Sequence, residues 1–331
     1  MSERAKMEGY GTMGEAKKIF DKFGGVNLIK QYARAGVLPF ALAIAPLLGF
    51  SRKGLELFRL AVQMKTYQKI EKRYANTLAN YDKNTDWDKM MHIHEKKVWI
   101  CWLQGMDNAP FVVQQCYKSV RKYLSDYSII VLTAENIQEY VSLPDYILEK
   151  WKKGTITNTH FSDLLRLAVL NQHGGTWLDA TVLCTGEKIP DYMLESKLFF
   201  FQVLKPGRDG STLNVSSWLL TSESNNKILM SVEYLLHEYW KTNTQMVDYF
   251  LIHMFMEMAC SYYREETNEI IKFSNSIPHI LLLDLFEPFD QKKYDAVREM
   301  TPFHKLAYKR DKADMEKKGT FFDVIINEGR F

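Results

Sequence analysis

The chain has 331 residues, 46% of them hydrophobic and 13% aromatic. That is enough for a sizeable core in one large or two ordinary domains, and too apolar for a disordered protein. Cys101, Cys116, Cys184 and Cys260 form no C-x-x-C pair, which argues against a disulfide or cysteine metal framework and suits a reducing cytosol. The net charge of +3 hides an asymmetry: residues 1–75 hold 14 Lys/Arg against 6 Asp/Glu, the remainder 29 against 34, so a basic front end precedes an acidic body.

In chain order, the first 35 residues are charged and show no secretory signal. Residues 37–50 form a charge-free run of 14 residues, short of the roughly 20 that a spanning helix needs. Pro39 and Pro46 predict interruptions in it. Lys30 and Arg34 precede the run, Arg52 and Lys53 follow it, and residues 54–70 read as a basic amphipathic helix. Together they suit a helical segment lying on an anionic membrane surface, peripheral to the cytoplasmic face. The competing reading is a helical hairpin packed on the main body. Nucleic acid is a poorer partner, because the basic residues accompany aliphatics rather than a base-stacking platform. The expected organisation is a basic helical membrane-interface module over 1–78, a polar linker over 79–96 and a catalytic domain over 97–331.

From Lys97 the pattern alternates. Residues 98–103, 127–132, 176–178, 198–203 and 218–221 read as strands. Residues 109–124, 145–153, 158–172, 225–240 and 245–263 read as helices. Such alternation predicts an α/β domain with a sheet flanked by helices. No G-x-G-x-x-G follows the first strand, which disfavours a dinucleotide-binding oxidoreductase. Ligands of open α/β sheets gather beyond the carboxyl ends of the strands. Trp102, Gln104 and Gly105 stand there, and alternation sets Trp99 on the opposite face, free to be core.

The most informative stretch runs from Phe161 to Val182. Asp163 and Arg166 share a helix face, Leu164, Leu167, Ala168 and Leu170 follow the helical period toward a core, and Gly174-Gly175 suits a left-handed helix end. A short strand then ends at Asp179. Two acids and an arginine so placed suit sugar hydroxyls and a diphosphate, although Asp163 and Arg166 alone would read as a surface ion pair.

Ser162, Asp163, Arg166, Leu170, Gly174, Gly175, Trp177 and Asp179 match S-D-x-x-R-x-x-x-L-x-x-x-G-G-x-Y/W-x-D. The chain thereby resembles the sugar-binding core of nucleotide-sugar glycosyltransferases of family 32, in their capsular polysaccharide synthesis branch, from about Val98 to about Lys309. The resemblance implies a GT-A-like nucleotide-sugar-binding domain with a mixed sheet, and hexosyl transfer with retention from a UDP-linked donor to a lipid-linked glycan acceptor. It implies base stacking at Trp102, sugar contacts at Asp163 and Arg166, and Mg²⁺ or Mn²⁺ on Asp179, the first acid of a D-x-D pair. The second position is Thr181, which weakens that cation site. In 301–309, His304 is then a candidate cation ligand and Lys305 a point charge on the diphosphate. Gly175, Asn214 and Ser216 are candidate nucleotide-sugar contacts, and Asp248 a candidate carboxylate near the anomeric carbon. The alternative from another class is a catalytically degenerate, membrane-associated scaffold, for which Thr181 is the best support.

Overall fold

A computed structural model describes residues 25–49, 51–186, 188–204 and 211–331; the first 24 residues of the expected N-terminal module lie outside them. Helices α1 (Gly25–Arg34), α2 (Leu38–Leu48) and α3 (Arg52–Asn84) lead into the mixed body. There follow β1 (Lys97–Cys101), α4 (Phe111–Tyr123), β2 (Ser128–Leu132), α5 (Asp145–Lys152), α6 (Asn158–His173), β3 (Gly175–Leu178), β4 (Val182–Cys184), β5 (Leu198–Gln202) and β6 (Val215–Ser222). Helices α7 (Lys227–Thr242) and α8 (Leu251–Tyr262), and strand β7 (Phe303–Lys305), complete the parts that build the site.

The central five-stranded sheet has the order β2-β1-β3-β6-β5. Strands β1, β2 and β3 run parallel, whereas β6 is antiparallel to β3 and to β5. The carboxyl ends of β1, β2 and β3 therefore share one edge with the amino end of β6. Leu178 pairs with Leu219, so the next residue, Asp179, meets Trp218 and donates its backbone N–H to the Trp218 carbonyl at 2.8 Å. Strands β4 and β7 form a separate antiparallel ribbon.

Helix α6 starts on Thr157, whose hydroxyl accepts the His160 N–H, and ends at Gly174 with φ +69°. It is buried on nearly all sides. Leu164, Leu167, Ala168 and Leu170 join one core with Trp99, Trp177 and residues of α7 and α8, which fixes the helix that carries Asp163 and Arg166. Trp99 is the core tryptophan, its indole N–H donating to the Gly174 carbonyl at 2.9 Å.

The N-terminal reading changes in two ways. Helix α3 runs unbroken past the expected boundary at residue 78, through Asn84, so the linker begins as helix. Its Ile70, Tyr74 and Leu78 belong to the main core. The segment is thus a packed part of the body. Pro39 lies in the first turn of α2 and Pro46 near its last, and the helix forms around both, since a first-turn proline costs no backbone bond. No described helix is long and apolar enough to cross a membrane. Helix α2 nevertheless leaves Leu42 66% and Leu47 81% exposed.

Candidate active site

Arg166 is the centre of the site. From α6 its guanidinium pairs with Asp163 at 3.0 Å and, across the sheet edge, with Asp179 at 3.2 Å. It also donates to the Ser217 hydroxyl on β6 and lies over the Trp177 ring, 5.2 Å from its centroid. Arg166 is only 5% exposed, and a buried guanidinium in such a place needs both acids. Its Nε is buried and without a partner among the described residues.

Behind Asp163 stands a relay. The Trp240 indole N–H donates to His160 Nε2 at 2.9 Å. That nitrogen is therefore the acceptor, so the His160 proton sits on Nδ1, which donates to Asp163 at 3.1 Å. Tryptophan, histidine and arginine together fix the rotamer of Asp163 from α7 and α6.

Asp179 is more open, with 26% of its side chain exposed. One oxygen accepts from Arg166 and from the Trp177 indole N–H at 3.1 Å, while the other faces the Lys305 ammonium at 3.0 Å. Burial pushes this carboxyl up, but Lys305 and Arg166 outweigh burial and hold it below its ordinary value. Lys305 reaches Asp179 because β7 pairs with β4, setting Lys305 opposite Val182, and its ammonium also donates to the Thr181 hydroxyl at 2.5 Å.

Alternation along β7 sends His304 to the opposite face. It is fully buried beside Leu183, shares a hydrogen bond of 2.8 Å between Nε2 and the Thr185 hydroxyl, and burial pushes it down to about 3. His304 is therefore not brought to Asp179. Among the described residues no three His, Cys, Asp or Glu side chains gather as a metal-binding group. One carboxylate already facing two cations, beside a hydroxyl bonded to one of them, is not a donor set that fits Mg²⁺ or Mn²⁺.

At the end of β1, Trp102 stands edge-on to Tyr308, with centroids 5.5 Å apart, and its indole nitrogen is buried without a partner among the described residues. Gly105 has φ +80°, with open space where a Cβ would project. The backbone there is open to a close approach. Gln104 is exposed, and its carbonyl accepts from the Asn108 side chain.

Four expected contacts are placed elsewhere. The Ser216 hydroxyl donates to the Phe201 carbonyl across the sheet, and its neighbour Ser217 is the one that faces Arg166. Asn214 gives both its backbone N–H and its side-chain amide to Glu257 on α8, each at 2.7 Å. Asp248 accepts the Phe250 N–H of its own turn and the Gln31 amide of α1, so it turns to the N-terminal helices. Gly175, at φ +96°, lies so close to β1 that a Cβ would come within 2.6 Å of the Lys97 carbonyl. The absence of a side chain is what lets the two strands approach there.

Sequence reasoning missed Ser217, Tyr308, His253 and the His160–Trp240 relay. His253 Nε2 shares a hydrogen bond of 3.2 Å with the Ser217 hydroxyl, and burial pushes the imidazole down to about 4, so it stays neutral beside Arg166. Strand alternation across β6 could have exposed the choice between Ser216 and Ser217; nothing local signals the others.

A family model described as capsular polysaccharide synthesis protein matches residues 52–325, most of the chain and every residue of the site. The chain belongs to that family. Within this family setting it is also 30% identical over 95 residues to the O-glycosyltransferase braB of Annulohypoxylon truncatum, covering 26% of this chain. The chain spans 23% of the length of that relative. The solved structure of the PaToxG glycosyltransferase aligns at 14% identity, covering 79% of this chain and 97% of that one, with a TM-score of 0.35.

Proposed function

We propose that this member of the family is a retaining glycosyltransferase, moving a hexose from a nucleotide-diphosphate sugar, UDP-linked in the first instance, onto a lipid-linked glycan. The observation that carries the reading is the bridge of Arg166 between Asp163 and Asp179 at the carboxyl edge of the sheet. Sugar hydroxyls require such fixed, mixed acceptors and donors, and the Trp102–Tyr308 wall offers a face for the base. The bond from the anomeric carbon to the phosphate oxygen breaks, a bond to the acceptor oxygen forms on the same face, and the acceptor proton passes to the departing phosphate. Asp163 and Asp179 are both committed to cations, which favours this route over a carboxylate nucleophile. Holding donor and acceptor together supplies the rate through proximity and fixed charge.

A lipid-linked acceptor is supported by an apolar cavity of about 390 Å³ between the N-terminal helices and the body, lined by Tyr32, Leu38, Phe58, Val62, Asp248 and Phe250 among others. Phe250 packs on His253, which bonds Ser217 at the site, so cavity and site share a wall. A position on the inner face of the membrane is supported by exposed Leu42 and Leu47 flanked by exposed Lys30, Arg34 and Lys53. Because α3 belongs to the core, the test is a surface change rather than a truncation. A Leu42→Asp/Leu47→Asp variant should co-sediment several-fold less with vesicles containing phosphatidylserine, since each leucine contributes roughly 1.5–3 kcal/mol when buried. Equal sedimentation of variant and parent removes the membrane proposal.

The function itself is tested by a thermal-shift panel of nucleotide sugars with and without Mn²⁺. At least one donor should raise the melting temperature by several degrees at about 100 times its Kd. No shift from any donor in either condition favours the degenerate scaffold instead.

A further inference from the structure

We infer that the Lys305 ammonium, rather than a divalent cation, supplies the countercharge at Asp179 for the donor's diphosphate. This deepens the glycosyltransferase reading and rests on it. Asp179 and Thr181 occupy the two positions of an acid-x-acid pair, and Lys305 bonds both, at 3.0 and 2.5 Å. The ammonium thus stands between the two groups that would hold a metal ion. An ammonium has three donors; two are spent there, and one remains for a phosphate oxygen.

Charge supports the same assignment. Asp163 and Asp179 are matched by Arg166 and Lys305, two acids against two cations. A divalent ion on Asp179 would have to displace Lys305 and sit against Arg166, which is already 3.2 Å from the same carboxylate. Thr181 in place of a second acid removes one anionic oxygen donor from the pair, which weakens it as a site for a divalent ion. The geometry is also rigid. Lys305 is fixed by the β4–β7 ribbon, and Leu306 donates its N–H to the Thr181 carbonyl at 2.9 Å. The Lys305 side chain is 20% exposed, so its charge acts in a partly desolvated setting. In the proposed step the Lys305 ammonium offsets the charge that grows on the departing phosphate oxygen as the sugar–phosphate bond breaks, while the acceptor proton goes to the phosphate.

The test is calorimetric titration of the full chain with UDP, GDP, ADP, CDP and dTDP, first stripped with EDTA and verified free of metal, then supplied with Mn²⁺ or Mg²⁺. At least one nucleoside diphosphate should bind in EDTA with a Kd within about threefold of its value in Mn²⁺. Lys305→Met should weaken that binding about 10- to 100-fold in EDTA, the range expected for one lost charge-assisted hydrogen bond, whereas Lys305→Arg should keep most of it. Binding by the parent only when Mn²⁺ or Mg²⁺ is present overturns this inference and leaves the glycosyltransferase reading standing. Lys305→Met binding as tightly as the parent overturns it as well. No binding under any condition overturns both. The EDTA comparison on the parent decides the matter even where the methionine variant does not fold.

Discussion

Arg166→Met is expected to abolish transfer and to lower stability by about 3–5 kcal/mol, the cost of removing one member of a buried ion pair. Arg166 is the common partner of Asp163 and Asp179. Methionine fills much of the volume but leaves Asp163 buried with only His160 to offset it, and leaves Asp179 to Lys305 and the Trp177 indole. Both acids then lose their fixed direction. Arg166→Lys should fall between the two, because an ammonium cannot serve two carboxylates and a serine with a planar fork. Urea denaturation gives the stability change. Transfer assayed well below the variant's melting point separates loss of the site from loss of the fold. Retained transfer in folded Arg166→Met would contradict the role given to this residue.

Asp179→Asn should reduce transfer about 10²–10³-fold, the scale of removing one oriented electrostatic group from an active site, with the fold intact. The amide oxygen can still accept from Trp177 and Arg166, but the negative charge that both Arg166 and Lys305 face is lost, and the amide NH2 is set against the ammonium of the Asp179–Lys305 pair. That pair is partly exposed and contributes about 1 kcal/mol. The pH dependence has a definite sign. The Asp179 carboxyl is held below its ordinary value, against burial, by Lys305 and Arg166. Its contribution to stability is therefore complete above the ordinary carboxylate pKa of about 3.9, and fades as pH falls through the depressed value of the folded state. Parent and Asp179→Asn should differ most in stability at neutral pH and converge in strong acid. A difference that instead grows on acidification would refute this assignment of charge.

Much of this site was legible because its parts are local. Asp163 and Arg166 share a helix face, the glycine pair stops that helix, and Asp179 follows four residues of strand. The alternation from residue 97 likewise marked the sheet strands and the long helices, to within a residue or two at most ends. What remained hidden depends on pairing between distant segments. The β4–β7 ribbon joins residues about 120 positions apart, and it alone decides that Lys305 faces Asp179 while His304 does not. Asn214 and Asp248 find partners on α8 and α1 rather than in the cleft. Ser216 was one residue off, because in a strand a shift of one exchanges the two faces. The packing of α3 was hidden for another reason. A basic amphipathic helix looks alike on a membrane and on a protein, and it is Ile70, Tyr74 and Leu78 in the main core that show where α3 packs.

The most direct measurement is a crystal structure of the full chain with the nucleoside diphosphate that binds best. The diphosphate should lie within hydrogen-bonding reach of Arg166 and Lys305, with the base toward Trp102. A diphosphate bound specifically anywhere else on the chain would contradict that placement.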